Sequence, residues 1–230
     1  MSYEEIVMEK YMDYCVARTH LVLRVSDHDF RKNHLKRIPH RRAADLAVTC
    51  HFMEVDETGR MGFTVVDQGL MEWMEISEDQ LFSDAFTFGP RNLPPVIRPL
   101  EAMVEGILEG ETKKKEELSF DKQLDAFDIR KEAAVLTNST GIFGAASFFY
   151  PFILEMIGER MGGNYYILPS SVHETILIPD NEDYLLSELE EMVWEINRTE
   201  LMAEDWLSDS VYYYDRTRNI FARAASVKRN

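Results

Sequence analysis

The sequence predicts an α+β protein in which antiparallel β-hairpins pack against helices. From residue 46 to residue 53, apolar and wetter side chains alternate, which is the period of a strand with one wetter face. Residues 56–59 carry turn chemistry, and the β-branched run at 63–66 completes a hairpin. Residues 183–198 place one apolar stripe opposite a row of glutamates, which predicts an amphipathic helix.

In the first half, the elements follow from capping and turn signals. Ser2 and Glu5 form a capping box, which predicts a helix to about Ala17. We expect the following order after it: a strand at 21–25, a polar and basic connection at 27–42, the hairpin, a helix from Ser77 that stops at Gly89-Pro90, and a helix from Pro99 to about Glu109.

In the second half, β-rich runs alternate with helical patterns. The predicted order is a strand at 134–137, a helix at 142–161 bent at Pro151, a hairpin of 165–168 and 172–178, the helix at 183–198 and a closing strand at 211–214.

The charged stretch at residues 111–128 divides the chain into two parts. It carries charges of both signs and no helical apolar stripe, which is typical of a linker or an exposed loop. It separates an N-terminal α+β lobe at 1–110 from a C-terminal α+β lobe at 129–230. The two lobes are either separate units or one domain, and their similar order suggests two βαββα lobes from a duplicated plan.

Composition restricts the compartment and the partners. The net charge of −16 opposes nucleic-acid binding. Cys15 and Cys50 lack the spacing of a disulfide framework, and no export signal follows Met1, so we expect a cytoplasmic protein. Residues 133–154 are uncharged but contain a polar turn and Pro151, so we expect no membrane span. The composition leaves open whether the protein forms a homo-oligomer.

Several strings together resemble a known bacterial family. They are Ala134-Val135-Leu136-Thr137-Asn138, Gly144-Ala145-Ala146, Tyr166-Ile167-Leu168-Pro169-Ser170-Ser171-Val172-His173-Glu174 and Leu207-Ser208-Asp209-Ser210-Val211-Tyr212, with Ile38-Pro39-His40, Asp45-Leu46-Ala47-Val48 and Leu93-Pro94-Pro95-Val96-Ile97-Arg98-Pro99 in the first half. They are similar to the uncharacterised family of domain of unknown function 5688. The resemblance covers most of the chain and implies no activity, cofactor or catalytic residue.

Ser171, His173 and Glu174 are the candidates for catalysis, because serine, histidine and a carboxylate form acyl-transfer triads. On a strand, however, Ser171 and His173 share one face and Glu174 occupies the other, so this carboxylate cannot orient the imidazole. We therefore favour a structural role for His173 and keep a role in a pocket as the alternative.

No metal or cofactor is expected. The six histidines do not show metal-ligand spacing, and Leu177 stands where a zincin would need its second histidine. Neither phosphate-binding glycine motif, GxxxxGK[ST] or GxGxxG, occurs in the sequence.

A basic segment offers the second candidate site. It is predicted to bind a phosphate or an acidic partner through Arg31, Lys32, Lys36, Arg37, Arg41 and Arg42. The alternative, which we favour, is that these cations neutralise the protein's own carboxylates.

Three functions follow from these observations. The first is a non-enzymatic binding or regulatory protein with a protein or small-molecule partner. The second is a hydrolase or small-molecule enzyme that uses Ser171, His173 and a distant carboxylate. The third is an acidic nucleic-acid mimic that inhibits a basic protein.

Overall fold

A computed structural model describes residue 11 and residues 13–102, 118–181, 183–199 and 201–227. The part of the predicted first helix at residues 1–10 and the charged residues 111–117 lie outside these ranges. The helix predicted from Pro99 also lies largely outside them.

The first antiparallel sheet is built around one long strand. It contains β1 (Leu21–Asp27), β2 (His40–Ala43), β3 (Leu46–Val55) and β4 (Met61–Val65). One edge of β3 pairs with β1, while the other edge pairs with β2 near its start and with β4 near its end. The alternation predicted for β3 therefore places one of its faces in the core and the other on the far side of the sheet.

The second antiparallel sheet has six strands. They are β5 (Pro95–Pro99), β6 (Ala134–Asn138), β7 (Tyr165–Pro169), β8 (Thr175–Pro179), β9 (Tyr212–Asp215) and β10 (Ile220–Arg223), in the spatial order β10-β9-β7-β8-β6-β5. Strand β5 precedes residue 111 and still belongs to this sheet, because it pairs with β6 along its whole length.

The described helices are short except for three. The helices are α1 (Tyr14–Ala17), α2 (Gln68–Trp73), α3 (Glu78–Asn92), α4 (Phe120–Leu124), α5 (Ile153–Met161), α6 (Leu186–Thr199) and α7 (Ala224–Val227), of which α3, α5 and α6 are the longer ones. There are also 3₁₀ turns at Arg18–His20, Leu35–Arg37 and Gly144–Phe149. The predicted α+β class is confirmed.

One apolar cluster connects the two sheets. It contains Leu23 and Phe52 of the first sheet together with Leu136 and Tyr165 of the second. The opposite face of the second sheet is covered by α6, whose Leu189 and Val193 are fully buried. The division into lobes at 1–110 and 129–230 stays a prediction, although within 111–128 the described helix α4 buries Leu124.

Two predicted helices differ from the observed ones. Helix α3 continues through Gly89-Pro90 to Asn92, because a proline in the last turn removes only one ladder hydrogen bond. The helix expected at 142–161 is a 3₁₀ turn followed by α5, because Phe152 adopts a left-handed conformation (φ 69°) immediately after Pro151 and separates the two.

Candidate functional site

The wetter face of the first sheet carries a row of polar side chains. Arg24 and Ser26 come from β1, and Thr49 and His51 come from β3, where Arg24 lies opposite Thr49 in the strand register. Their neighbours on the other face, such as Leu23 and Cys50, enter the core. The period of two therefore places cationic and hydroxyl groups together on a surface that the rest of the chain covers.

The basic segment folds back over this face. The carboxylate of Asp27 accepts the Phe30 N–H at 2.7 Å and begins a series of tight turns. Leu35 and Ile38 are buried and anchor the segment on the sheet. Together the sheet and this segment enclose a cavity of about 50 Å³, lined by Arg24, Ser26, Arg31, His34, Leu35, Ile38, Thr49, His51 and Val65. We call it the Arg24 cavity.

Arg24 lacks an acceptor for its guanidinium among the described residues. Its Nε is buried without a hydrogen bond, and neither a hydrogen bond nor an ion pair within 4.0 Å engages the side chain there. The guanidinium lies over the ring of Phe143 at 4.7 Å. Burial and the nearby Arg31 lower the pKa of Arg24, while Asp205 raises it. An arginine that is desolvated and faces a second cation is stabilised by an anion.

His51 is held neutral beside Arg24. Because the Thr49 hydroxyl donates to the Arg24 carbonyl oxygen at 3.3 Å, we assign the 3.0 Å contact between His51 Nε2 and Thr49 Oγ1 as donation by the imidazole. Burial lowers the pKa of His51 to about 3, and the charges of Arg24 and His34 add to this effect. His51 therefore contributes a hydrogen-bond donor at neutral pH and no positive charge.

Acid is expected to destabilise the protein through His51. Because the folded pKa of about 3 lies below the unfolded value of 6.5, the unfolded chain takes up the proton first as the pH falls through this window. Between pH 7 and about pH 4.5 this linkage lowers the free energy of unfolding by about 2.5 kcal/mol. Urea unfolding should show that H51Q, which keeps an N–H donor, loses about 2.5 kcal/mol less stability than the wild type over this range.

The exposed His20 supplies the control. H20Q should follow the wild-type pH dependence. Parallel pH curves for H51Q and the wild type would contradict the neutral, buried state of His51.

His173 lies next to the Arg24 cavity and has both ring nitrogens engaged. Its Nδ1 accepts the Phe143 N–H at 3.2 Å, which places the proton of the neutral ring on Nε2. Nε2 lies 3.0 Å from the Asp205 Oδ1 and donates to it. The rings of His173 and Phe143 are parallel, with centroids 6.3 Å apart. No lone pair of this imidazole is left to accept a proton from a nucleophile.

Ser171 and Glu174 do not contact the imidazole. Residues 170–174 form a loop, because β8 begins at Thr175 and not at residue 172. The buried Ser171 Oγ accepts the backbone N–H of His173 at 3.0 Å. Burial raises the pKa of Glu174, whose Oε1 lies 3.4 Å from the Ser170 hydroxyl. The carboxylate that folding brings to His173 is that of Asp205.

The six basic candidates separate into different environments. Arg31 lines the Arg24 cavity. Lys32, Lys36 and Arg37 are exposed. The remaining two are engaged locally: Arg41 pairs with Asp79 at 3.2 Å and lies over Phe82 at 4.7 Å, and Arg42 donates to the Ala44 carbonyl oxygen at 3.0 Å.

Sequence reasoning missed Arg24, Thr49, His51 and Asp205 as members of a site. One signal was available for Arg24, because it interrupts the apolar run Leu21–Val25 at the position that faces away from the core. Asp205 carries no such signal, since nothing in a local pattern links it to a histidine 32 positions earlier.

The fold and the site define an α+β protein with a small cationic cavity on the covered face of one sheet. The chain belongs to the family described as "Family of unknown function (DUF5688)", whose family model matches residues 1–216, so the predicted resemblance is confirmed. No curated protein matches the chain, and no solved structure matches it.

The described part of the chain contains neither a candidate membrane-spanning helix nor a candidate metal-binding cluster. None of its helices has the length and apolar character that crossing a membrane would require. Within the same residues, no group of three or more His, Cys, Asp or Glu side chains is arranged to hold a metal ion.

Proposed function

We propose that the protein is a non-enzymatic binding protein that holds one acidic group of its ligand in the Arg24 cavity. The observation that carries the proposal is the guanidinium of Arg24, which is partly buried, has a fully buried Nε and has no acceptor among the described residues. Leaving a buried cation unpaired costs free energy, and a bound anion removes that cost.

The lining of the cavity indicates which anion would fit. Arg24 and Arg31 present planar forks that match the two oxygens of a carboxylate or phosphate, while the Ser26 hydroxyl is a further donor. A volume of about 50 Å³ accommodates one such group and not a whole metabolite. The rest of the ligand must therefore lie outside the cavity.

The acidic character of the whole chain does not prevent this. The net charge of −16 acts on an anion mainly over long distances, where salt screens it beyond about 8 Å at physiological ionic strength. Inside the cavity, two guanidinium groups act at short range in a partly desolvated environment, where each interaction is stronger than in water.

The contacts of Ser171 and His173 favour binding over hydrolysis. A serine nucleophile needs a base within hydrogen-bond reach, but the Ser171 hydroxyl is buried and accepts a backbone N–H. His173 uses one ring nitrogen on Phe143 and the other on Asp205. In this arrangement His173 holds loops together next to the cavity.

Arg24→Met is expected to remove most of the anion-dependent stabilisation. In the wild type, acetate or inorganic phosphate at about ten times its dissociation constant should raise the free energy of unfolding by about 1.4 kcal/mol and the thermal midpoint by about 3 to 6 °C. R24M removes the charge and keeps the apolar stem, so the affinity should fall at least about tenfold. Differential scanning calorimetry in chloride of equal ionic strength, with and without each anion, measures the effect.

Arg42→Met is the matched control, because it removes the same charge from an exposed site. R42M should keep the wild-type response to acetate and phosphate. In chloride alone, R24M should be at least as stable as the wild type, since it removes an unpaired buried charge. An equal response of R24M and the wild type to both anions would contradict the proposal.

A further inference from the structure

A second concavity adjoins the Arg24 cavity. It is an open groove of about 390 Å³ whose apolar wall consists of Phe30, Leu201, Met202, Ala203 and Trp206, and whose rim carries Asn197, Arg198 and Asp209. Phe30 and Met202 are exposed over more than 60% of their surface. We call it the Trp206 groove.

Two pairs of consecutive residues bring the Trp206 groove close to Arg24. Phe30 lines the Trp206 groove while the next residue, Arg31, lines the Arg24 cavity. On the other side, Trp206 lines the groove while Asp205 acts on the charge of Arg24. The Phe30 and Trp206 rings meet edge to face at 5.1 Å, and the Arg31 guanidinium lies 5.5 Å from the Phe30 ring centroid. The groove and the Arg24 cavity are therefore neighbours, with Phe30 next to both.

We infer that the occupant of both concavities is the free C-terminus of a peptide that ends in an apolar residue. This inference rests on the proposed function and names the class of ligand. The terminal carboxylate enters the Arg24 cavity, and the apolar side chain lies against Phe30 and Trp206.

The groove suits a peptide better than an acyl chain. An acyl chain needs enclosed apolar walls, whereas this groove is open to solvent along its length. The polar groups of its rim are partly engaged within the chain, because Asp209 Oδ1 accepts from Asn197 Nδ2 at 2.7 Å and the Arg198 guanidinium lies 4.4 Å from the Trp194 ring centroid. Their remaining donors and acceptors complement the C=O and N–H groups of a peptide backbone. The peptide can continue into solvent beyond them.

Isothermal titration calorimetry with five probes tests the inference on the full chain. The probes are acetate, N-acetyl-Ala-Ala-Leu with a free carboxylate, N-acetyl-Ala-Ala-Phe with a free carboxylate, and the C-terminal amide of each peptide. At least one free peptide should bind about tenfold or more tightly than acetate, because its side chain buries apolar surface in the groove. The matching amide should bind at least about tenfold more weakly than that acid, because it lacks the charge.

A pair of variants assigns the apolar contact to the groove. Met202→Ser shortens an exposed side chain of the groove, and Leu185→Ser changes a side chain of equal exposure (66% and 67%) that does not line it. M202S should lower the affinity for the free peptide at least about threefold and leave acetate binding unchanged. L185S should change neither affinity.

The outcomes separate the two proposals. If acetate binds in an Arg24-dependent manner but neither free peptide binds more tightly than acetate, the peptide inference is wrong and the proposed function stands. Equal binding of acid and amide, or equal effects of M202S and L185S, also overturns the inference. If neither acetate nor the free peptides bind, both proposals fail.

Discussion

Gly144→Ala should destabilise the protein by about 3 kcal/mol and lower its thermal midpoint by about 6 to 12 °C. A Cβ at this position would overlap the Thr137 hydroxyl and the His173 carbonyl oxygen, and it would lie 2.9 Å from the Asn138 backbone nitrogen. Two of these three atoms belong to the backbone, and Gly144 is buried, so the neighbours cannot move aside at low cost. Thermal and urea unfolding of G144A measure the loss.

The close approach at Gly144 also positions His173. The Thr137 hydroxyl donates to the His173 carbonyl oxygen at 2.8 Å, and the Ala145 N–H donates to the Val172 carbonyl oxygen at 3.3 Å. Gly163→Ala is the matched control, because its Cβ would meet no atom within 4 Å. G163A should change stability by no more than about 0.5 kcal/mol. Equal stability of G144A and G163A would contradict this packing.

Asp45→Ala is expected to lower the free energy of unfolding by about 3 kcal/mol. The carboxylate of Asp45, in the turn before β3, accepts the hydroxyls of Ser210 and Tyr212, each at 2.7 Å, and its side chain is only 17% exposed. Hydrogen bonds to a charged acceptor contribute about 1.5 to 3 kcal/mol each, and alanine leaves both donors without this partner. Burial and Asp45 raise the pKa of Tyr212, which keeps the hydroxyl protonated as a donor.

Urea unfolding compares D45A with D79A, whose carboxylate is 96% exposed and pairs with Arg41. D79A should change the free energy of unfolding by no more than about 0.5 kcal/mol. A loss for D45A no larger than that for D79A would mean that Asp45 does not connect the first sheet to β9 and the residues before it.

The sequence predicted the faces of β3 but not what covers them. Alternation placed Cys50 on one side and Thr49 and His51 on the other, because side-chain direction in a strand depends only on position. It could not predict that residues 28–38 fold over the wetter side. That contact depends on Leu35 and Ile38, two isolated apolar residues in a basic segment, whose burial is a tertiary effect.

Three strands were not predicted from the sequence, namely β2, β5 and β10, and the first two were missed for different physical reasons. Strand β5 begins and ends with proline, which usually argues against a strand, but it is an edge strand, where prolines are tolerated. Strand β2 lies within the basic segment and has little apolar character of its own, since Arg41 and Arg42 are exposed. It forms by pairing with β3, so its signal belongs to its neighbour.

The most direct test of the Arg24 cavity is the NMR signal of the Arg24 Nε–H group, identified by its absence from the spectrum of R24M. The buried Nε lacks an acceptor, so its shift should respond to an anion that binds the same guanidinium. During titration with acetate at constant ionic strength, this signal should move to a saturating position that fits one site. A stationary Arg24 signal, with small linear shifts at exposed arginines alone, would contradict the presence of an anion site.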